Sequence, residues 1–163
     1  MTTSKAEYDI VARYSELFSG APHWFGIAIG PGWLPIFSQV CEEIQIALDP
    51  DELRKFYWIQ IKQKWGRLTM YWGPRHPVFV SCVSPSGVVD FVPTETDESI
   101  NGTLENDVSP ASRERVREII QRAQFQASAT CDECASVGHL RSRPSISVLC
   151  DACCQSRIAG RAN

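Results

Sequence analysis

Cys131-Asp-Glu-Cys134 and Cys150-Asp-Ala-Cys153 stand near the end of a 163-residue chain, with fifteen residues between the two pairs. Two Cys-x-x-Cys pairs at this distance predict one tetrahedral site in which four thiolates hold one metal ion, and Zn2+ is the expected cofactor. The metal-ligand set is therefore Cys131, Cys134, Cys150 and Cys153. The spacer is long enough for a β-hairpin that brings the pairs together. Its strands are expected over residues 139–143 and 146–149, with Pro144-Ser145 near the turn. Gly138 falls where a metal knuckle needs a residue that tolerates positive φ. After Leu149 the composition turns helical. That places Cys150 and Cys153 on a first helical turn, where the dipole favours thiolates.

Other chemistries can use four cysteines. Disulfides favour short secreted chains, and the opening Met1-Thr-Thr-Ser-Lys-Ala-Glu-Tyr-Asp9 lacks the basic start and apolar core of a signal peptide. A redox dithiol uses a single Cys-x-x-Cys near a βαβ pattern. Iron accepts the same ligands, but its usual pairs are both glycine-flanked knuckles, whereas the second pair here reads as helical. His139 could replace one cysteine, although four cysteines already complete a shell. Cys154 points to another side of the helix and reads as a free or packing thiol.

The composition is that of a folded globular chain, 44 % apolar and 21 % charged. No apolar run approaches membrane-spanning length. A reducing cytosol is the expected compartment. The net charge of −3 is unevenly spread: residues 1–108 carry −6 and residues 109–163 carry +3, with arginine supplying every basic residue of the second part. Arginine's planar fork suits phosphate and carboxylate partners.

Upstream of the cysteines the hydrophobic period changes along the chain. Ile10, Val11, Tyr14, Leu17 and Phe18 recur at helical spacing over residues 5–18. A loop rich in glycine and aromatics follows, from Pro22 to Pro35, readable as a binding rim or as packing ahead of the next helix. Phe37, Val40, Cys41, Ile44 and Leu48 form one stripe of a helix over residues 35–48, ended by Asp49-Pro50-Asp51. Residues 55–65 and 68–72 alternate as two strands of a hairpin around Gly66. Two more strands are expected at 78–83 and 88–92. Lys62, Lys64, Arg67 and Arg75, interleaved with Trp58, Trp65, Tyr71 and Trp72, could form a basic, aromatic surface of the kind single-stranded nucleic acid binds, although core packing accounts for most of the aromatics. Residues 93–108 are acidic, without a basic residue, and read as a mobile loop. Ser109-Pro110 starts a helix that braces the cysteine module.

The fold class predicted is α+β: helices packed on a four-stranded antiparallel sheet, followed by a small zinc module. The domains expected are 1–128, containing the acidic loop 93–108 and the bracing helix 110–127, and 129–163. Knuckle, hairpin and helix in that order make the second unit resemble treble-clef zinc modules.

A wider resemblance lies in Trp33-Leu-Pro-Ile36 leading to Cys41-Glu-Glu-Ile44, in Ile61-Lys-Gln-Lys-Trp-Gly-Arg-Leu68 with Tyr71, and in the terminal motif. The terminal match includes Gly138, Leu140-Arg141 and Leu149-Cys-Asp-Ala-Cys153. These are similar to a group of tailed-phage and prophage accessory proteins with no assigned activity, whose hairpin reads VKEKFGxLRFY. The likeness covers most of the chain outside residues 73–108. It implies a virus-encoded protein in the bacterial host cytosol, directed at a host or defence macromolecule.

Catalysis is not expected. No phosphate loop, paired His-Glu motif or nucleophile elbow is present, and a full cysteine shell leaves no open metal position. A nuclease reading would place its base at His139. The expected work is binding, with a host or defence protein favoured over nucleic acid and no membrane partner. Trp24 and Trp33 are candidate anchors for a protein target, and Arg141 and Arg143 candidate contacts for phosphates.

Overall fold

The computed structural model describes residues 4–18, 25–74, 108–143 and 145–160. Helix α1, Lys5–Arg13, opens with a capping box: Glu7 N–H donates to the Ser4 hydroxyl and Ser4 N–H to the Glu7 carboxylate. A 3-10 turn, Ser15–Leu17, follows. A second, Pro31–Trp33, leads directly into α2, Leu34–Ala47. The stripe expected on α2 is buried at every position, from Phe37 through Val40, Cys41 and Ile44 to Leu48. Burial also pushes the Cys41 thiol up to about 12, opposed by the Trp58 indole, so this cysteine packs as an inert apolar group. Asp49-Pro50 does more than end α2. The Asp49 carboxylate accepts from the N–H groups of Asp51 and Glu52 and caps a one-turn helix, α3, Pro50–Leu53.

The hairpin is formed by β2, Phe56–Lys64, and β3, Arg67–Pro74. Trp65 and Gly66 both have positive φ, 54° and 74°. That is the pattern of a two-residue turn whose twist matches its strands. A bulge between Trp58 and Gln60 shifts the register near the far end.

The sheet differs from the four antiparallel strands expected. Among the described residues it has three strands, ordered β1-β2-β3, and β1, Ile27–Ala28, runs parallel to β2. Phe25 N–H donates to Ile59 O and Ile61 N–H to Gly26 O, so the free edge of β2 captures a segment with no strand period of its own. The strands expected at 78–83 and 88–92, and the acidic loop up to residue 107, lie outside the described residues.

Helix α4, Pro110–Ser128, packs on α2 and β3 through Val116, Ile119, Ile120, Ala123 and Ala127. Ser109 caps it, accepting from Ser112 N–H, and Glu52 accepts from Ser109 N–H and from the Ser112 hydroxyl at 2.7 Å. The interior centres on aromatics. Phe37 and Phe56 meet Trp58 edge-on at 5.4 and 5.1 Å, each pair adding roughly 0.5–1.5 kcal/mol beyond its buried area. Val148, from the cysteine region, belongs to the same buried cluster. Among the described residues no helix is long and apolar enough to cross a membrane.

Candidate metal centre

The two cysteine pairs come from different local structures. Cys131 and Cys134 lie on a tight turn, where Ala135 N–H donates back to Cys131 O and Cys131 N–H to Ser136 O. The residue with positive φ in this turn is Ala135, at 62°, and not Gly138. Gly138 is needed for a different reason. A Cβ there would lie 2.7 Å from Cys131 N and 2.9 Å from its Cα, so only a bare backbone passes behind the first ligand.

The spacer forms a two-stranded sheet of β4, His139–Arg141, and β5, Ser147–Leu149. Cys150 then caps α5, Asp151–Ala159, and its sulfur accepts from Cys153 N–H at 3.4 Å. The second pair thus sits at a helix N-terminus, as its sequence predicts, where the dipole favours thiolates.

All four ligand sulfurs lie within 4.8 Å of one another, and Cys134 Sγ is 3.6 Å from Cys150 Sγ. A tetrahedral ion with metal–sulfur bonds near 2.3 Å separates its sulfurs by about 3.8 Å. The donor set therefore fits a single tetrahedral ion. All four cysteines are free, and 3.6 Å is well beyond the roughly 2.05 Å of a disulfide. Four thiols this close do not lose their protons alike. Hydrogen bonds from Ser136 bring exposed Cys134 down to about 6. Cys153 is pushed up, first by its hydrogen bonds to Cys150 and Cys134 and last by the charge of Cys131. A dication at the centre offsets the repulsion that resists the final deprotonation.

The turn is docked on the main body by a loop some hundred residues earlier. Gly32 N–H donates to Asp132 O at 2.8 Å, Gly30 N–H to Asp132 Oδ1 at 2.8 Å, and Trp33 Nε1–H to Thr130 O at 2.7 Å. A Cβ on Gly32 would lie 2.2 Å from Cys131 O and 2.6 Å from Ala135 N. Gly30-Pro31-Gly32-Trp33 is thus the seat of the cysteine turn. Asp132 is 4 % exposed. Burial raises its carboxyl, while Gly30 N–H and Arg157 act the other way. Arg157 on α5 forms an ion pair with Glu133, lies 3.9 Å from Asp132 Oδ2, and donates to the Ser147 hydroxyl at 3.0 Å. This side chain clasps the two ligand-bearing elements together. Neither Asp132 nor Arg157 is conspicuous in the sequence; the only signal is that Asp132 occupies an x of Cys-x-x-Cys.

The residues expected to meet a partner are scattered. Trp33 is 0 % exposed and bonded to Thr130 O, so it is an interior residue and not a surface anchor. Its large ring closes the gap between α2 and the cysteine turn. Trp24 lies outside the described residues. Arg141 is turned inward on its own module, donating to Leu149 O and pairing with Asp151. Arg143 is exposed, and its carbonyl accepts from Cys154 Sγ at 3.8 Å. His139 is exposed on β4. No family model matches this chain, and no curated protein and no solved structure matches it.

Proposed function

We propose that this chain is a non-catalytic zinc protein whose work is to bind a macromolecule. The observation that supports this most is the convergence of four cysteine sulfurs on one point. An ion held by four thiolates has no open position for water or substrate, which catalytic zinc requires. Zinc is favoured over iron because the second pair caps a helix and is not a second glycine-flanked knuckle. Turn, hairpin and helix follow the order of a treble clef. The likeness to tailed-phage accessory proteins supplies the setting: a bacterial host cytosol, with a host or defence component as target.

The sequence favours a protein partner, with Trp24 and Trp33 as its candidate anchors. Trp33 offers no surface, so that pair no longer favours a protein over a nucleic acid.

Two measurements test the reading. Elemental analysis of freshly purified protein should find about one zinc per chain. Incubation with DNA and RNA in Mg2+, Mn2+ or Zn2+ should leave both intact. Reproducible cleavage that disappears in His139→Ala would overturn the non-catalytic reading.

A further inference from the structure

The β2–β3 hairpin turns one face inward and one outward. Ile61 pairs with Met70 and Gln63 with Leu68; Ile61, Leu68 and Met70 are buried. Because side chains alternate across a strand, the other face carries Gln60, Lys62 and Lys64 opposite Tyr71, Thr69 and Arg67. No Asp or Glu occurs between Leu53 and Pro74, in a chain that is acidic overall. We infer that this outward face, with Trp65 at its tip, is a binding site for single-stranded nucleic acid, in which Lys62, Lys64 and Arg67 take phosphates and Trp65 and Tyr71 stack on bases. The inference rests on the macromolecule-binding reading above and names its partner class.

Two local rules are broken at the tip, and both breaches suit this ligand. Lys64 and Arg67 are directly opposite each other, and like charges so placed destabilise a sheet. Neither is paired with a carboxylate among the described residues. A phosphate backbone would supply the counter-charge that the described residues do not. Trp65, a bulky residue at φ 54°, holds a conformation natural to glycine or asparagine, yet is 68 % exposed. A strained, protruding indole gains nothing from the core; it gains a partner when a base stacks on it. Behind it, Lys62 Nζ lies 4.8 Å from the Tyr71 ring centroid, which keeps a cation and an aromatic face side by side.

The tip is also held in place. Gln63 Nε2–H donates to Ile146 O at 2.5 Å, and a Cβ on Gly66 would lie 2.2 Å from Leu140 Cδ1. The cysteine module therefore props the hairpin from its inner side, and among the described residues it does not reach the outer one.

An acidic protein is the competing partner, and the arrangement suits it less. Protein hot spots sit in desolvated central pockets, whereas Trp65 stands out as a platform. The arginines of the C-terminal third are mostly engaged: Arg115 with Ser112, Arg117 with Glu114, Arg122 with Glu43, Arg141 with Asp151 and Arg157 with Glu133. On the hairpin, Lys62 donates to Gln60 Oε1 at 2.7 Å, while Lys64 and Arg67 at the tip have no carboxylate partner among the described residues.

The test uses the zinc-loaded full chain and a fluorescein-labelled oligothymidylate of about 15 nucleotides, read by fluorescence anisotropy. Three phosphate contacts predict a salt slope near −2, or about a 20-fold weakening between about 50 and 200 mM salt. Trp65→Ala should weaken binding by about 5- to 150-fold. Lys64→Gln should weaken binding and flatten the slope by about 0.7. This variant also relieves the repulsion with Arg67, so its loss cannot be ascribed to unfolding. Lys5→Glu, on α1, should change binding little. Absence of salt-dependent binding, or binding indifferent to both hairpin variants, would overturn the assignment. So would polyglutamate displacing the oligonucleotide at lower concentration than unlabelled oligothymidylate, which would assign the face to an acidic protein. Cleavage of the oligonucleotide that still requires Trp65 and Lys64 would support the surface while overturning the non-catalytic reading.

Discussion

Gly32→Ala tests whether the cysteine turn and the α+β body are mechanically one. The new Cβ would lie 2.2 Å from Cys131 O, 2.6 Å from Ala135 N and 2.9 Å from Asp132 O. All three are backbone atoms, so no side chain can swing away. An ordinary C···O approach is about 3.3 Å, and the loop must retreat from the turn by about 1 Å. That movement takes the 2.8 Å bonds of Gly32 N–H and Gly30 N–H to Asp132, and the 2.7 Å bond of Trp33 Nε1–H to Thr130 O, past the limit of hydrogen bonding. Two neutral bonds contribute about 1 kcal/mol each and the bond to the buried carboxylate about 2, so the loss is about 4 kcal/mol. At roughly 2–4 °C per kcal/mol, the melting temperature should fall by about 8–16 °C. Thermal unfolding followed by tryptophan fluorescence would measure it, with zinc release to a chelator recorded in parallel and expected to quicken. Gly160→Ala is the control, since its Cβ meets Ser156 O at an ordinary 3.4 Å. A Gly32→Ala melting point within about 3 °C of the parent, with unchanged zinc release, would refute the docking argument.

Cys134→Ser should retain less than half an equivalent of zinc by elemental analysis, while Cys154→Ser, whose thiol lies outside the cluster, should retain a full one; equal retention would reject the four-ligand set. Glu52→Gln should lower stability by about 1 kcal/mol in urea at neutral pH, because the carboxylate holds Ser109 N–H and the Ser112 hydroxyl at the start of α4. Burial pushes the Glu52 carboxyl up, but the hydrogen bonds from Ser109 and Ser112 outweigh it, and the group lies below its ordinary range. The contribution is therefore complete above the unfolded value of about 4.3 and is lost as pH falls through the lower folded value. A difference between parent and Glu52→Gln that persists undiminished in acid would contradict this.

Local pattern was enough for what is local. Cys131-x-x-Cys134 and Cys150-x-x-Cys153 announce a cluster able to hold one metal ion, because ligand spacing and hairpin length are properties of the nearby chain. The stripe from Phe37 to Leu48 and the alternation from Ile61 to Met70 announce α2 and the β2–β3 hairpin, because one buried face imposes its period on the residues. Tertiary structure decided what depends on meetings between distant segments. Two residues, Ile27-Ala28, become a parallel strand only because β2 has a free edge beside them. Gly30 and Gly32 look like loop glycines until the backbone of Cys131–Ala135 is laid against them. Trp33, read as a surface anchor, is interior because its indole N–H finds Thr130 O nearly a hundred residues away. Trp58 and Trp65, seven residues apart in one strand–turn segment, part company for the same reason. Trp58 falls among Phe37 and Phe56, while Trp65 projects from a turn whose other residue, Gly66, is the one packed against Leu140. Hydrophobicity states that a residue would gain from burial; only the packing of the whole chain states which residues obtain it.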